Sequence, residues 1–261
     1  MLSQVTGIWK FRSFLLALVR LDFRLKYKRS ALGTGWALVT PLAMAATYVL
    51  VFSGVLGLSA AEYATSLLVA LAVWGFFREC AVSGCLALVS HENYIRQSPL
   101  PFGLYSLRFV IGYAIQGLFA FGVALVALVI KDGHAGKLLM LWAVVPALLM
   151  IFVAGWAVAT IFAFAQVHFH DTKHLLEIFA QILFFMTPIV YGPELLVGKG
   201  LGWVARFNPL NTYLELVRCP LTRGELPQEK LYLYGAICTV ALYGLAVATT
   251  ARFQKKVVFQ I

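Results

Sequence analysis

The chain has 261 residues, of which 61% are hydrophobic and only 12% charged, and its formal net charge is +10. Soluble domains use roughly 45–50% apolar and about 25% charged residues, so this composition excludes an ordinary soluble domain and indicates an integral membrane protein. Long apolar stretches recur that are sufficient for helices crossing a hydrocarbon core of about 30 Å, whereas the short alternating strands of an outer-membrane barrel are not seen. We therefore predict an all-α membrane protein.

The first 35 residues predict an amphipathic helix that lies at the membrane interface. Between Phe11 and Leu25 the apolar side chains share one helical face, while cations recur on the opposite side. Asp22 interrupts the apolar face and is predicted to pair with Lys26. The helix would serve either as a topology anchor near anionic lipid or as a docking surface for a partner protein. Its predicted interfacial residues are Arg20, Arg24, Lys26, Tyr27 and Lys28.

Six transmembrane helices are predicted further along the chain, at 36–57, 63–88, 104–130, 138–164, 175–191 and 232–250. When both termini are placed in the cytoplasm, two thirds of the 21 Lys and Arg residues fall in cytoplasmic segments. This asymmetry follows the rule that short basic loops stay inside, and it agrees with an even number of spans.

The second span contains two adjacent charges, Arg78 and Glu79. Charges inside a span are costly and often mark function. Neighbouring residues point about 100° apart on a helix, so we predict that each charge needs another partner or water. Gln116, Glu177 and Gln181 are candidates. A structural contact between helices and a place in a substrate pathway both explain the pair.

A histidine-rich stretch precedes the fifth span, with His168, His170, Asp171 and His174 within seven residues. His170 and His174 would lie one turn apart on a helix, as zinc ligands do. The same residues also suit an ordinary polar cytoplasmic loop. We predict no metal ligand and no catalytic residue in this chain, and we assign no role to its four scattered cysteines.

The stretch 192–230 is too polar to span a membrane and too apolar for a free loop, and several prolines and glycines interrupt it. It predicts short re-entrant helices, because irregular backbone at membrane depth is tolerated only within protein or beside water. Four of its apolar residues would dip into the membrane and three charged ones would stay at the surface: Trp203, Phe207, Tyr213 and Leu216, against Arg206, Glu215 and Arg218.

Four stretches together resemble the membrane subunit of ABC type-2 exporters of cell-surface polysaccharides such as O-antigen, capsule and teichoic acid. Arg24–Leu42 carries a basic-aromatic helix, a Leu-Gly turn, a Trp and a Pro. Trp74–Pro101 looks like the second span followed by an Asn-led cytoplasmic segment that ends at Pro. Val167–Tyr191 has an Asp shortly before a Pro-terminated aromatic run, and Arg206–Arg218 resembles the extracellular Asn-Pro segment.

The resemblance implies a single ABC type-2 transmembrane domain over 1–261, with a cytoplasmic interfacial helix (1–35), spans one to five (36–191), an extracellular re-entrant segment (192–230) and span six with a cytoplasmic tail (231–261). It implies a homodimer in the bacterial inner membrane that joins two copies of a cytoplasmic ABC ATPase. No phosphate-binding loop of the form Gly-x4-Gly-Lys-Ser/Thr occurs in the sequence, so ATP and Mg would be bound by that partner, and this chain needs no cofactor and no nucleic acid.

The resemblance also implies site residues. The segment 91–101 would be a cytoplasmic coupling helix seated in the ATPase, and its alternative is an ordinary solvated connection. Spans one and five would line the conduit, where aromatic faces let sugar rings stack while they slide. The implied coupling residues are His91, Glu92, Asn93, Tyr94, Arg96 and Asp171, and the implied pathway residues are Tyr48, Phe52, Arg78, Glu79, Phe184 and Phe185.

The function that we expect is therefore that of a permease subunit for a lipid-linked or lipid-anchored polysaccharide. Alternatives are a membrane-embedded enzyme that acts on lipid-linked sugars, with the histidine cluster at its centre, and an ABC type-2 exporter of another substrate. A secondary transporter is disfavoured because the sequence shows no repeated pair of halves with broken helices.

Overall fold

The computed structural model describes residues 10–26, 28, 30, 32–57, 59–92, 95, 100–133, 136–198, 200 and 202–260. Every regular element within these ranges is helical. The α-helices are α1 (Arg12–Lys26), α2 (Trp36–Leu56), α3 (Ala60–Val82), α4 (Phe102–Asp132), α5 (Leu141–His168), α6 (Thr172–Met186), α7 (Pro193–Gly198), α8 (Gly202–Phe207), α9 (Pro209–Arg218) and α10 (Glu229–Gln260). Short 3-10 turns at Gly33–Gly35, Gly84–Ala87, Val89–His91 and Gly136–Met140 and a π turn at Cys219–Arg223 join them.

Five helices in the described ranges are long and apolar enough to cross a membrane: Trp36–Gly54, Ala60–Val82, Phe102–Asp132, Gly136–His168 and Glu229–Gln254. This agrees with the prediction of an all-α membrane protein, but the sixth predicted span is not among them. The predicted span 175–191 corresponds to α6, whose 15 residues cover about 22 Å. α6 ends where Thr187 turns extended before Pro188, because proline disfavours a helical conformation in the residue before it.

α3 lies at the centre of the helical bundle and α2 at its edge. In the most apolar 18-residue stretch of each helix, 61% is buried in α3 but only 6% in α2. α3 packs against α2, α4, α5 and α9, so it needs apolar or small residues on every side. Two glycines let α5 approach the end of this helix closely. A Cβ at Gly84 would lie 2.8 Å from the Cβ of Ala159, and one at Gly155 would lie 2.5 Å from the ring of Phe76.

One end of the bundle gathers segments that are distant in sequence. Leu88 packs in one cluster with Tyr105, Phe164 and Val257, which belong to the start of α4, the end of α5 and the end of α10. α1 joins the same end, because Leu15 and its neighbour Val19 pack on Leu104 and Leu107 in the first turns of α4. We call this the His91 end, after the residue that ends the turn following Leu88. α1 and α10, the helices nearest the two termini, thus both reach this end of the bundle.

The opposite end of the bundle, the far end, holds the connections between α4 and α5 and between α9 and α10. The Tyr232 hydroxyl donates to the carbonyl of Ala143 at 2.6 Å, and the Lys137 ammonium donates to the carbonyl of Thr222 at 3.0 Å. The chain therefore passes from the His91 end to the far end between α5 and α10, and α6 begins that passage.

The segment from α7 to the π turn is partly sunk into the bundle. Tyr213 is buried, its ring stacks on Phe77 at 5.4 Å between centroids, and its hydroxyl lies 2.8 Å from that of Thr239. Leu216 is also buried, whereas Trp203 and Phe207 are exposed. The prediction that Arg218 stays at the surface is wrong, since only 5% of this residue is exposed.

Arg218 is buried because it fixes the turn that follows α6. Its guanidinium donates to the backbone carbonyls of Pro188 at 3.1 Å and Ile189 at 3.2 Å, and it pairs with Glu215 at 3.3 Å. The Tyr63 hydroxyl donates to the carbonyl of Val190 at 2.8 Å. Buried carbonyls need such donors, and periodicity in the sequence does not reveal them.

Candidate functional site

A cavity of about 1040 Å³ lies between α2, α3, α4 and α6, and the end of α1 reaches its rim. This volume is at the upper end of the range for small-molecule pockets. The lining residues of α6 recur every three or four positions, so they share one helical face. They are Glu177, Ile178, Ala180, Gln181, Phe184 and Phe185.

An aromatic cluster forms one part of the wall. Phe184 lies 6.0 Å from Tyr48, 5.6 Å from Trp74 and 5.3 Å from Phe185, measured between ring centroids. Phe52 adjoins the cluster through Tyr48 at 6.1 Å, although it does not itself line the cavity. The four aromatics that the sequence suggested for a pathway are thus brought together, and they come from two helices that are distant in sequence.

The other part of the wall is polar and lies nearer the His91 end, since Glu177 and Gln181 precede Phe184 along α6. Arg78 donates to Glu79 at 2.6 Å, and the hydroxyl of Ser83 donates to the second oxygen of Glu79 at 2.6 Å. The Lys26 ammonium donates to the side-chain oxygen of Gln116 at 2.9 Å and lies 5.2 Å above the ring of Tyr113.

Two sequence expectations about these charges need correction. Arg78 and Glu79 pair directly although they are adjacent, because the long Arg side chain bends across the gap that helical geometry leaves. Their predicted partners Gln116, Glu177 and Gln181 do line the same cavity, but Gln116 bonds to Lys26, and Glu177 pairs with Lys173 at 3.8 Å. The carboxylate of Asp22, for which Lys26 was the predicted partner, is held by Arg108.

Arg108 was not recognised from the sequence, where it is one cation among many. Arg108 is only 5% exposed and lies in the first turns of α4. The guanidinium donates through Nε and Nη2 to the two carboxylate oxygens of Asp22 and through Nη1 to Nε2 of His91. The one available signal was Asp22, an acid on an apolar helical face, which needs a buried cation beside it.

The residues predicted to meet an ATPase lie at the His91 end as far as they are described. His91 is buried, Glu92 is half-buried, and Asp171 is exposed in the turn between α5 and α6. That turn is held by Gln166, whose side chain donates to the carbonyl of His170 at 2.6 Å and accepts from the amide of Lys173 at 2.8 Å. Asn93, Tyr94 and Arg96 lie outside the described residues.

Burial and the neighbouring Arg108 guanidinium lower the pKa of His91 below its ordinary value. Its Nδ1 lies 2.9 Å from the carbonyl oxygen of Ala87, which can only accept, so Nδ1 carries the proton. Nε2 is then free of hydrogen and accepts from Arg108. The neutral imidazole is the form that satisfies both contacts.

The sequence predicts a helix near the start of the chain, and α1 is that helix, while its position at the membrane interface stays a prediction. Leu15, Leu18 and Val19 are buried, whereas Leu21 and Leu25 remain exposed on the same helix. The predicted cations Arg20, Arg24, Lys26 and Lys28 are exposed, and the ammonium of Lys26 bonds to Gln116 at the cavity. Tyr27 lies outside the described residues.

The histidine cluster is not assembled as a metal centre. His168 contacts the carbonyl of Phe164 at 2.9 Å and packs edge-on against Phe253, while His174 faces Glu177 at 3.7 Å. Among the residues that the structure describes, no group of three or more His, Cys, Asp and Glu could hold a metal ion.

A bundle of membrane-length helices around a large aromatic and polar cavity, with exposed polar turns at one end, defines a polytopic membrane transport subunit. The family comparison is more specific. The chain belongs to the ABC-2 type transporter family, whose model matches residues 14–220. This membership agrees with the prediction of a transport subunit rather than an enzyme, and it implies an ABC ATPase as partner.

Three curated relatives match nearly the whole chain at low identity. Two O-antigen export system permease proteins RfbA from Klebsiella pneumoniae are 24% and 23% identical over 243 residues, which is 92% of each chain. The O-antigen export system permease protein RfbA from Myxococcus xanthus is 21% identical over 245 residues, 93% of this chain and 94% of its own.

Proposed function

We propose that this chain is the permease subunit of an ATP-driven exporter that moves a lipid-linked or lipid-anchored polysaccharide of the O-antigen or capsule type across the bacterial inner membrane. The cavity between α2, α3, α4 and α6 is the observation that carries the proposal. The three relatives are O-antigen export system permease proteins, which supports the choice of an O-antigen-like polymer.

The chemistry of the cavity suits a polymer that must slide. Sugar rings stack on aromatic faces without site-specific hydrogen bonds, and Tyr48, Phe184 and Phe185 offer such faces in series. The polar groups, of both signs, lie nearer the His91 end. We infer that the chain of sugars enters at this polar part and passes along the aromatic part.

The conduit is tested by replacing one aromatic ring on α6. Phe185→Leu keeps the apolar character and removes the stacking face, so we expect export of the polysaccharide to fall by about two- to tenfold, the worth of one aromatic contact. Phe179→Leu is the matched control, because Phe179 is 56% exposed on the same helix, similar to the 61% of Phe185, but does not line the cavity.

Export is measured in cells that lack the protein and are complemented with each variant, as surface glycan relative to glycan retained inside. Equal export by both variants would remove the cavity from the pathway. Identifying the glycan that accumulates inside the deletion strain would also name the cargo.

We further infer that two ATPase subunits dock on the His91 end of a homodimer and act through the segment 91–101 and Asp171. The exposure of Asp171 and the gathering of α1, the start of α4 and the end of α5 at one end support this inference. The exposed apolar side chains of α2, with Leu50 at 85%, offer a surface for a second copy.

Docking is tested with the ATPase co-purified on this chain. Glu92→Ala and Asp171→Ala should leave less transport-coupled ATP turnover, since each removes a carboxylate that a partner's cations can bind. Glu225→Ala, an exposed acid at the far end, is the control. Unchanged coupled turnover in the first two variants would contradict the assigned docking surface.

A further inference from the structure

Arg108 is a buried three-way junction between segments that are remote in sequence. It lies on α4, and its two partners are Asp22 of α1 and His91 of the turn that follows Leu88. All three nitrogens of the guanidinium donate, two to the carboxylate and one to the imidazole. Lysine could not reproduce this fork, because an ammonium is a point charge without planar bidentate geometry.

The junction is a main attachment of α1 to the bundle. α1 buries Leu15, Leu18 and Val19, and half-buried Phe23 packs against the same cluster as Leu15, while its other apolar residues and its cations are exposed. The Asp22 carboxylate is 42% exposed and the Arg108 side chain 6% exposed, so the pair reaches from the surface to the interior. The apolar contacts, this bidentate ion pair and the hydrogen bond from Lys26 to Gln116 together fix the helix in one orientation.

α1 ends at the rim of the cavity. Its last residue, Lys26, and the first residue of α2, Trp36, both line the cavity wall. The Trp36 indole donates to the hydroxyl of Ser30 at 3.1 Å, which ties the start of α2 to the connection from α1. The end of α1 and the start of α2 therefore border the same cavity.

We propose that Arg108 is a positioning residue that locks α1 to the His91 turn, so that a push on the segment 91–101 moves α1 and α2 together and reshapes the cavity. This inference rests on the proposed function, because the push is supplied by the ATPase. Neither Arg108 nor Asp22 contacts the cargo in this mechanism.

The lock is tested first with Asp22, whose half-exposed side chain can be changed with less risk to folding than buried Arg108. Asp22→Asn removes the charge that binds the guanidinium, and we expect export per ATP hydrolysed to fall about fivefold or more, the lower bound for coupled sites. Asp22→Glu keeps the carboxylate and should restore most of the coupling. Asp132→Asn is the matched control, since Asp132 pairs with Lys137 at the other end of α4.

The mechanical part of the proposal is read from a distance. Spin labels at Leu16 and Ser90, both exposed, report the separation of α1 from the His91 turn. In the otherwise unchanged transporter we expect one narrow distance distribution with and without ATP, because the two segments move as one body. In Asp22→Asn the distribution should broaden. Equally narrow distributions in both proteins would overturn the lock.

A pH profile separates this role from mere packing. Protonation would place an N–H on Nε2 of His91 against the donors of Arg108, and within the part of the chain that the structure describes, Asp22 is the other charged group that acts on the imidazole. Tyr105 and Phe109 pack against the ring at 5.8 Å each. Export per ATP should therefore fall on the acid side, and His91→Gln, which cannot titrate, should lose this acid limb. A profile shared by both proteins would refute the assignment.

Failure of the lock and failure of the proposed function give different results. If the ATPase does not co-purify with the unchanged chain, the proposed function fails. If it co-purifies and drives export, while Asp22→Asn exports as much per ATP as the unchanged chain, only the role of Arg108 fails.

Discussion

Single small residues decide how closely the central helices approach. Gly84 and Gly155 face α5 and α3 at distances where a Cβ would overlap with a neighbour. Close packing of this kind replaces the hydrophobic effect as the driving force between helices in lipid, because lipid tails are as apolar as the side chains. Other glycines of the chain, such as Gly122, have open space around them.

Replacing Gly84 with Ala should destabilise the protein, because the added methyl would lie 2.8 Å from Cβ and 3.3 Å from Cα of Ala159. Overpacking of this kind costs about 1–3 kcal/mol. We expect the apparent Tm in detergent to fall by about 2 °C or more. Gly122→Ala, inside α4 with no atom within 4 Å of the new methyl, should leave the Tm unchanged or raise it. A Tm for Gly84→Ala that matches Gly122→Ala would contradict the contact.

His91 predicts a stability that depends on pH. Its pKa in the folded protein lies below the ordinary value of 6.5, so the unfolded chain takes up the proton first as pH falls. The stabilisation is therefore complete above pH 6.5 and is lost below it. Thermal unfolding at pH 7.5 and 5.5 should show a larger drop in apparent Tm for the unchanged protein than for His91→Gln. The same drop in both would assign the pH dependence to other groups.

At the scale of elements, the passage from α6 to α10 is the least regular part of the described chain. α6 ends at Met186, before Pro188, and the turn that follows is held by donors from α3 and α9 in addition to its own backbone bond from Ile189 to the carbonyl of Thr187. α9 in turn is anchored by Tyr213 against α3 and α10. The conformation of this passage is stabilised by specific polar contacts more than by helix propensity.

Arg218→Gln should loosen this passage. It removes donors from the carbonyls of Pro188 and Ile189 and leaves Glu215, 13% exposed, with only its weaker partner Arg223 at 3.5 Å among the pairs described. Removing one partner of a buried ion pair costs about 3–5 kcal/mol. Chemical or thermal unfolding in detergent measures the loss. The exposed Arg206→Gln is the control and should stay within about 0.5 kcal/mol of the unchanged protein.

At the scale of the whole molecule, the number of membrane crossings follows from how the ends of the bundle are built. Five helices of membrane length would by themselves place the two termini on opposite sides. The start of α1 and the end of α10 nevertheless pack at the same end of the bundle. A sixth crossing through α6 and the turn after it would account for both observations, and it stays a prediction.

Protease-cleavable tags at the two termini test this topology. We expect both tags to be cut in inside-out vesicles and both to be protected in right-side-out vesicles, because an even number of crossings returns the chain to the cytoplasm. Cleavage of the two tags on opposite sides would mean that the passage through α6 does not cross.

Assembly is the second property at this scale. α2 is apolar enough to face lipid, and only 6% of its most apolar stretch is buried. This helix is therefore open to a second copy of the chain. Native mass spectrometry of the complex purified in nanodiscs should give two copies of the 28.8 kDa chain and two ATPase subunits. One copy of each would show that lipid alone covers α2.

The amino-acid sequence by itself determined the properties that depend on composition and periodicity. Apolar stretches of sufficient length predicted the membrane helices, and the alternation of apolar and basic residues predicted α1. These signals are local, because a helix repeats every few residues and its environment is written along one segment.

Only the tertiary structure decided which side chains meet. Asp22 pairs with Arg108 rather than with the nearby Lys26, and Arg78 pairs with Glu79. Arg218 is buried, and α6 ends five residues before the predicted span does. The physical reason is that a buried charge or carbonyl is satisfied by whichever partner the packing brings within hydrogen-bond distance, and that partner lies as far as 127 positions away, as between Tyr63 and Val190.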